Sequence, residues 1–209
     1  MNVRRKFNGS LASILSVAFS LMLTNSSGAL AETKILAEDE KKTQQQTRLA
    51  TRSLVVNRFR SASLSNSAAD RIFRDGSRVL QTNDGSGDVS CNLTLRRSGN
   101  VRSFNTGDGS IDSRSEFNAV LRVSGFVKVV NRINWCGGFS PNIIGCAPVP
   151  GSDMVVVRFN SGLEGILWAH EYGHTRGLRH RNSSTAVMNG TIGNSRRRVN
   201  SSECSRFLN

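Results

Sequence analysis

The chain has 209 residues, 28 Lys and Arg against 15 Asp and Glu, a formal net charge of +13 and 37% hydrophobic residues. That length holds one main domain with a sizeable core and argues against a multidomain assembly. The charge favours acidic partners through long-range attraction that salt screens. The single tyrosine, two tryptophans and scattered arginines, with a run of three only at Arg196-Arg197-Arg198, argue against a specific nucleic-acid reader and leave weak association with acidic surfaces, in a monomer.

The N-terminus carries Arg4, Arg5 and Lys6, then a mostly apolar run over residues 11–23, then Ala29-Leu30-Ala31. A basic region, a hydrophobic region and an A-x-A site in that order predict a signal peptide cut after Ala31 and delivery to the periplasm or the exterior. The apolar run is about a dozen residues, short of the roughly 20 that span a bilayer, so a membrane anchor is not expected. No cysteine follows it, which disfavours lipid attachment. Arg4-Arg5-Lys6-Phe7 also resembles the core of a twin-arginine signal, an alternative export route. Cleavage removes three positive charges and no negative ones, leaving +10. Cys91, Cys136, Cys146 and Cys204 form an even set, which in an exported chain predicts two disulfides. Three pairings are open; Cys136 with Cys146 encloses a short Gly/Pro-containing loop and is the easiest, leaving Cys91 for Cys204. No CxxC spacing supports zinc ligation by these thiols.

Residues 32–61 are polar and mixed in charge and read as a linker or short prosegment ahead of a domain over 62–209. Ser67-Ala68-Ala69-Asp70 reads as a cap, and Ala69, Ile72, Phe73, Gly76, Val79 and Leu80 recur at helical spacing, predicting a helix over 67–81. Residues 83–88 form a turn-rich loop whose Asp84 and Asp88 leave room for calcium without an EF-hand spacing. Cys91, Leu93 and Leu95 alternate with Asn92, Thr94 and Arg96, a strand with one buried face. A Gly/Asp/Ser loop over 107–115 precedes strands over 120–123 and 126–133. Residues 135–151 read as a disulfide-bearing loop, and 154–159 as a strand just before a helix that begins near 161–164. Asn200-Ser201-Ser202-Glu203 is a capping pattern that opens a short helix through about Leu208.

That penultimate helix carries the chemistry, in the run HEYGHTRGLRH from His170 to His180. His170 and His174 are four apart, so on a helix they share one face and both imidazoles reach one ion. Gly177 suits a helix end, because glycine takes positive φ without steric cost, and the reversed chain returns His180 as a third ligand. Three protein ligands leave one position open, as in catalytic rather than structural zinc sites. Glu171, beside the first ligand, is placed to take a proton from water activated by the ion.

With Met188 eight residues past His180, the array resembles the metzincin zinc metallopeptidases, HExxHxxGxxH followed by a methionine turn, at a spacing most similar to the matrixins. The resemblance implies an α/β (α+β) zincin catalytic domain, with a mixed twisted sheet above the cleft and a small C-terminal part below. It also implies one catalytic zinc ion, hydrolysis of proteins or peptides as an endopeptidase, and Glu171 as general base. Met188 would be the hydrophobic floor of the site. The family's substrate-pairing edge strand is carried onto Met154, Val155, Val156 and Val157, and its primed-side pocket onto Thr191 and Ile192 through Asn194. The matrixin cysteine switch is absent; Glu38, Asp39 or Glu40 would have to cap the metal in any latent form. Arg181 departs from the residues several subfamilies place after the third histidine. Gly190 stands where some metzincins have a ligating tyrosine, and Tyr172 is the only tyrosine. Two other readings are an exported zinc-binding domain without peptidase activity and a basic secreted binding protein whose histidines are incidental.

Overall fold

The computed structural model describes residues 49–82 and 89–209. The expected signal peptide, most of the expected linker, and Asp84 and Asp88 lie outside the described residues. Regular structure begins before residue 62, where the linker was expected to end: Ala50–Leu54 is strand β1 and Val56–Phe59 is strand β2. Leu54, Val56 and Phe59 are buried, so this stretch contributes to the core despite its polar flanks.

β1 runs parallel to β3 (Leu93–Arg97). After Val55 the chain enters a different sheet, where β2 lies between β4 (Arg102–Phe104) and β6 (Val127–Val130), parallel to both. This sheet has five strands in the order β4-β2-β6-β10-β9, with β10 at Met154–Val157 and the outermost strand β9 at Gly145–Cys146. β10 is parallel to β6 and antiparallel to β9. A three-stranded sheet pairs β5 (Ser110–Ile111) with β7 (Arg132–Trp135), and β7 with β8 (Phe139–Ile143).

The continuous apolar run of β10 is explained by cover on both faces. Met154 and Val156 join the core that contains helices α1 (Asn66–Gln81) and α3 (Glu164–Thr175). Val155 and Val157 point the other way, into a second cluster with Phe117 and Val120 of α2 (Arg114–Leu121). β6 alternates likewise, except that its Lys128, fully buried, ion-pairs with Asp153. Phe73 of α1 meets Trp168 of α3 edge to face, 4.9 Å between ring centroids. That contact and the burial of all twelve α3 residues fix the helix inside the fold.

Several elements differ from expectation for local reasons. α1 is capped two residues earlier than predicted: Ser65 Oγ, not Ser67, accepts from the Ala68 N–H. The strand expected over 120–123 is instead the end of α2 and the turn after it. There Ser113 Oγ accepts from the Glu116 N–H and the Glu116 carboxylate accepts from the Asp112 N–H, a capping arrangement that starts a helix inside the expected loop. The strand over 126–133 divides at Asn131, whose N–H donates to Gly109 O. The loop over 135–151 contains β8 and β9. α4 (Ser201–Leu208) has the full reciprocal box between Asn200 and Glu203, as its sequence predicts.

Candidate metal centre and cleft

α3 ends where the metal motif requires it to. The Gly177 N–H donates to His174 O and the Leu178 N–H to Gly173 O, the two bonds of a Schellman motif, with Gly177 at φ +84°. The chain reverses there, and His180 comes back to the face that carries His170 and His174.

The three imidazoles offer ligand nitrogens that lie within 4.8 Å of one another. Hydrogen bonds set their tautomers. His170 Nδ1 lies 2.8 Å from Val187 O, and His174 Nδ1 lies 2.7 Å from Leu178 O. A carbonyl oxygen only accepts, so each Nδ1 carries the proton and each Nε2 keeps a lone pair for the centre. His174 Nε2 and His180 Nε2 face each other at 3.2 Å. Burial holds His170 down to about 4, against the help of the Val187 carbonyl and with His174 and His180 adding to the lowering. Burial also lowers His174. Two imidazoles that burial keeps neutral, with His180 beside them, fit a divalent transition metal.

Met188 is fully buried. A Cβ on Gly173 would come within 2.5 Å of Met188 Sδ, so the absence of a side chain at Gly173 lets the methionine turn sit against α3. The turn also supplies the carbonyl of Val187 that orients His170. Met188 O accepts from the Arg181 N–H, tying the turn to the strand of chain that follows the third histidine.

Glu171 is buried, its Oε2 has no hydrogen-bond partner, and burial pushes its carboxyl up to about 8. It opens onto a cleft of about 730 Å³ shared with His170, His174 and His180. One wall is Ile143, Ile144, Gly145, Cys146 and Ala147; the other includes Gly190, Thr191 and Ile192. Gly145 touches the catalytic candidate directly: a Cβ there would lie 2.3 Å from Glu171 Oε1. Disulfides join Cys136 to Cys146, which holds this wall, and Cys91 to Cys204, which ties the start of β3 to α4.

Met154, Val155, Val156 and Val157 do not line the cleft. β10 has a strand on each side, β6 and β9, so its hydrogen-bonding edges are already occupied. The edge position expected for it belongs to β9. A two-residue strand leaves no periodic signature, and the only local signal for it is the cysteine at its end. Thr191 and Ile192 line the cleft. Gly145, Arg179 and the Ile143–Ile144 wall were not singled out by sequence.

No protein-family model matches the chain, and no curated protein matches it. Its structure is similar to that of metalloproteinase-II from Bacteroides fragilis, at TM-score 0.51 and 14% identity, over 78% of this chain and 53% of the other. The chain thus spans about half the length of that protein. A mutant form of Tannerella forsythia promirolysin aligns at TM-score 0.55 and 12% identity, over 87% of this chain and 88% of its own. This chain has a metzincin-like zincin fold. Archaemetzincin from Methanopyrus kandleri aligns at TM-score 0.47 and 17% identity, over 75% and 92% of the two chains. The metzincin-like frame accounts for the order of helix, glycine break, third histidine and buried methionine around one metal-binding cluster.

Proposed function

We propose that this chain is an exported zinc-dependent endopeptidase. The observation that carries the reading is the meeting, in one cleft, of three coordinating imidazoles and a buried carboxylate oxygen with no hydrogen-bond partner. A structural metal site has no use for such a carboxylate; a hydrolytic one does. His170, His174 and His180 would hold zinc, which would supply Lewis acidity toward a carbonyl oxygen and toward water. Glu171 does the proton work. As a carboxylate it takes a proton from the attacking water and passes it to the amine nitrogen as the peptide C–N bond breaks.

The outer edge of β9 is the place for an extended substrate to pair its backbone, with Thr191 and Ile192 on the facing wall. Export rests on the N-terminal signal pattern and is supported by two disulfides, which persist in oxidising compartments. Among the described residues no helix is long and apolar enough to cross a membrane. In this reading residues 1–31 are a signal peptide, the polar stretch that follows is a linker or prosegment, and the catalytic domain starts at β1.

Glu171→Gln tests the assignment, because it keeps side-chain size and all three histidines while removing the base. Zinc content should stay near one per chain, and peptide hydrolysis should fall by about 10²- to 10⁴-fold. Near-normal hydrolysis by the variant would refute the mechanism. Loss of zinc would make Glu171 a ligand or a structural group instead.

A further inference from the structure

We infer that Arg179 makes the cleft a reader of acidic side chains, so that preferred substrates are proteins or peptides with Asp or Glu close to the scissile bond. The inference rests on the peptidase reading above and names the substrate class for that same site.

Arg179 lies in the wall of the cleft, immediately before His180, and is exposed. Among the described residues it makes no hydrogen bond and no ion pair. Its neighbour in sequence, Arg181, is by contrast paired with Glu203. Of the residues lining the cleft, Glu171 is the only acidic one and Arg179 the only arginine or lysine. Glu171 is committed to the reacting atoms beside the metal cluster. The charge left to meet a substrate side chain is therefore the Arg179 guanidinium. Behind the facing wall a second guanidinium reinforces it, since Arg196 Nη2 donates to Thr191 Oγ1 at 3.3 Å.

The rest of the lining is mostly apolar, with Ile143, Ile144, Val149 and Ile192. Apolar walls lower the local dielectric, so one unpaired guanidinium counts for more there than on an open surface. Its fork matches a carboxylate with two parallel hydrogen bonds, a geometry that a neutral side chain cannot reproduce. The overall excess of positive charge acts in the same direction, drawing in acidic chains and repelling basic ones. An exposed Arg179 still competes with water, so the preference should be modest, about three- to ten-fold in kcat/KM for an acidic over an isosteric neutral side chain.

The test is a cleavage-site profile on a peptide library with amidated C-termini, so that terminal carboxylates do not contribute, run on wild type, Arg179→Gln and Arg179→Glu with zinc content measured alongside. Wild type should enrich Asp and Glu over Asn and Gln at one position near the cut. Arg179→Gln should lose that enrichment, and Arg179→Glu should shift it toward Lys and Arg. The wild-type preference should also shrink as salt rises. Cleavage by wild type with no acidic enrichment would overturn the inference while leaving the peptidase reading standing. Acidic enrichment that persists in zinc-loaded Arg179→Gln would overturn the role of this residue. If no peptide in the library is cut by wild type, the peptidase reading falls and this inference with it.

Discussion

Replacing Gly145 with alanine should disable Glu171 without touching a metal ligand. Gly145 does not use the left-handed φ region, so alanine meets no backbone objection and its effect comes from contact alone. The new Cβ would lie 2.3 Å from Glu171 Oε1, 2.7 Å from Cδ and 2.8 Å from Cγ. Ordinary carbon contacts begin near 3.5 Å, so the carboxylate must retreat by about 1 Å or β9 must move outward by a similar amount. Glu171 is buried and has little room in which to turn. A misplacement of about 1 Å at a reacting group costs about 10²-fold in rate. Overpacking of this kind also costs about 1–3 kcal/mol of stability. Gly138→Ala is the control, since it lies in the same disulfide-closed segment and its Cβ would meet nothing within 4 Å. The assay is kcat/KM on a peptide substrate, with zinc content and a melting temperature for each variant. Gly145→Ala should keep zinc and lose about 10²-fold in rate, while Gly138→Ala stays near wild type. A folded, zinc-loaded Gly145→Ala enzyme with normal kcat/KM would show that this contact does not position the base.

Two further outcomes concern stability. Lys128 is fully buried against Asp153, and burial outweighs that partner, lowering the Lys128 pKa below 10.5. Between the lowered value and 10.5 the unfolded chain holds a proton that the folded one has released, so this group makes stability rise with pH across that window. Denaturant midpoints of wild type relative to Lys128→Met should therefore climb toward alkaline pH; a constant difference would refute the assignment. The two disulfides should separate in effect. Replacing Cys91 and Cys204 opens the long loop, whose ends are separated by 113 positions in the sequence, and should cost about 2–5 kcal/mol in thermal or chemical unfolding. Replacing Cys136 and Cys146 releases the wall that holds Gly145 and should reduce peptide hydrolysis proportionally more than it lowers the melting temperature; equal loss of both would count against its role in the cleft.

Features that depend on neighbours three or four residues apart were legible from the amino-acid order. His170 and His174 share a face because they are four apart on a helix, and Gly177 permits the reversal that returns His180. The apolar positions of α1 and the Asn200–Glu203 box of α4 are local in the same way, and the structure places all of them as read. The Cys136–Cys146 and Cys91–Cys204 pairing is also present.

Tertiary structure alone decided what lies beside what across the sheets. An apolar run such as β10 has the same composition whether it is an edge or an interior strand; its place is set by β6 on one side, where Met154 pairs with Val127, and by β9 on the other, where Val155 pairs with Cys146. β1 looks like linker because only Leu54 of its five residues is buried, and the pairing partners of β1 and β2 come much later in the chain. The close approach of Gly145 to Glu171 and the unpaired state of Arg179 are of the same kind. Each depends on distances between residues far apart in sequence, which periodicity does not encode and only packing determines.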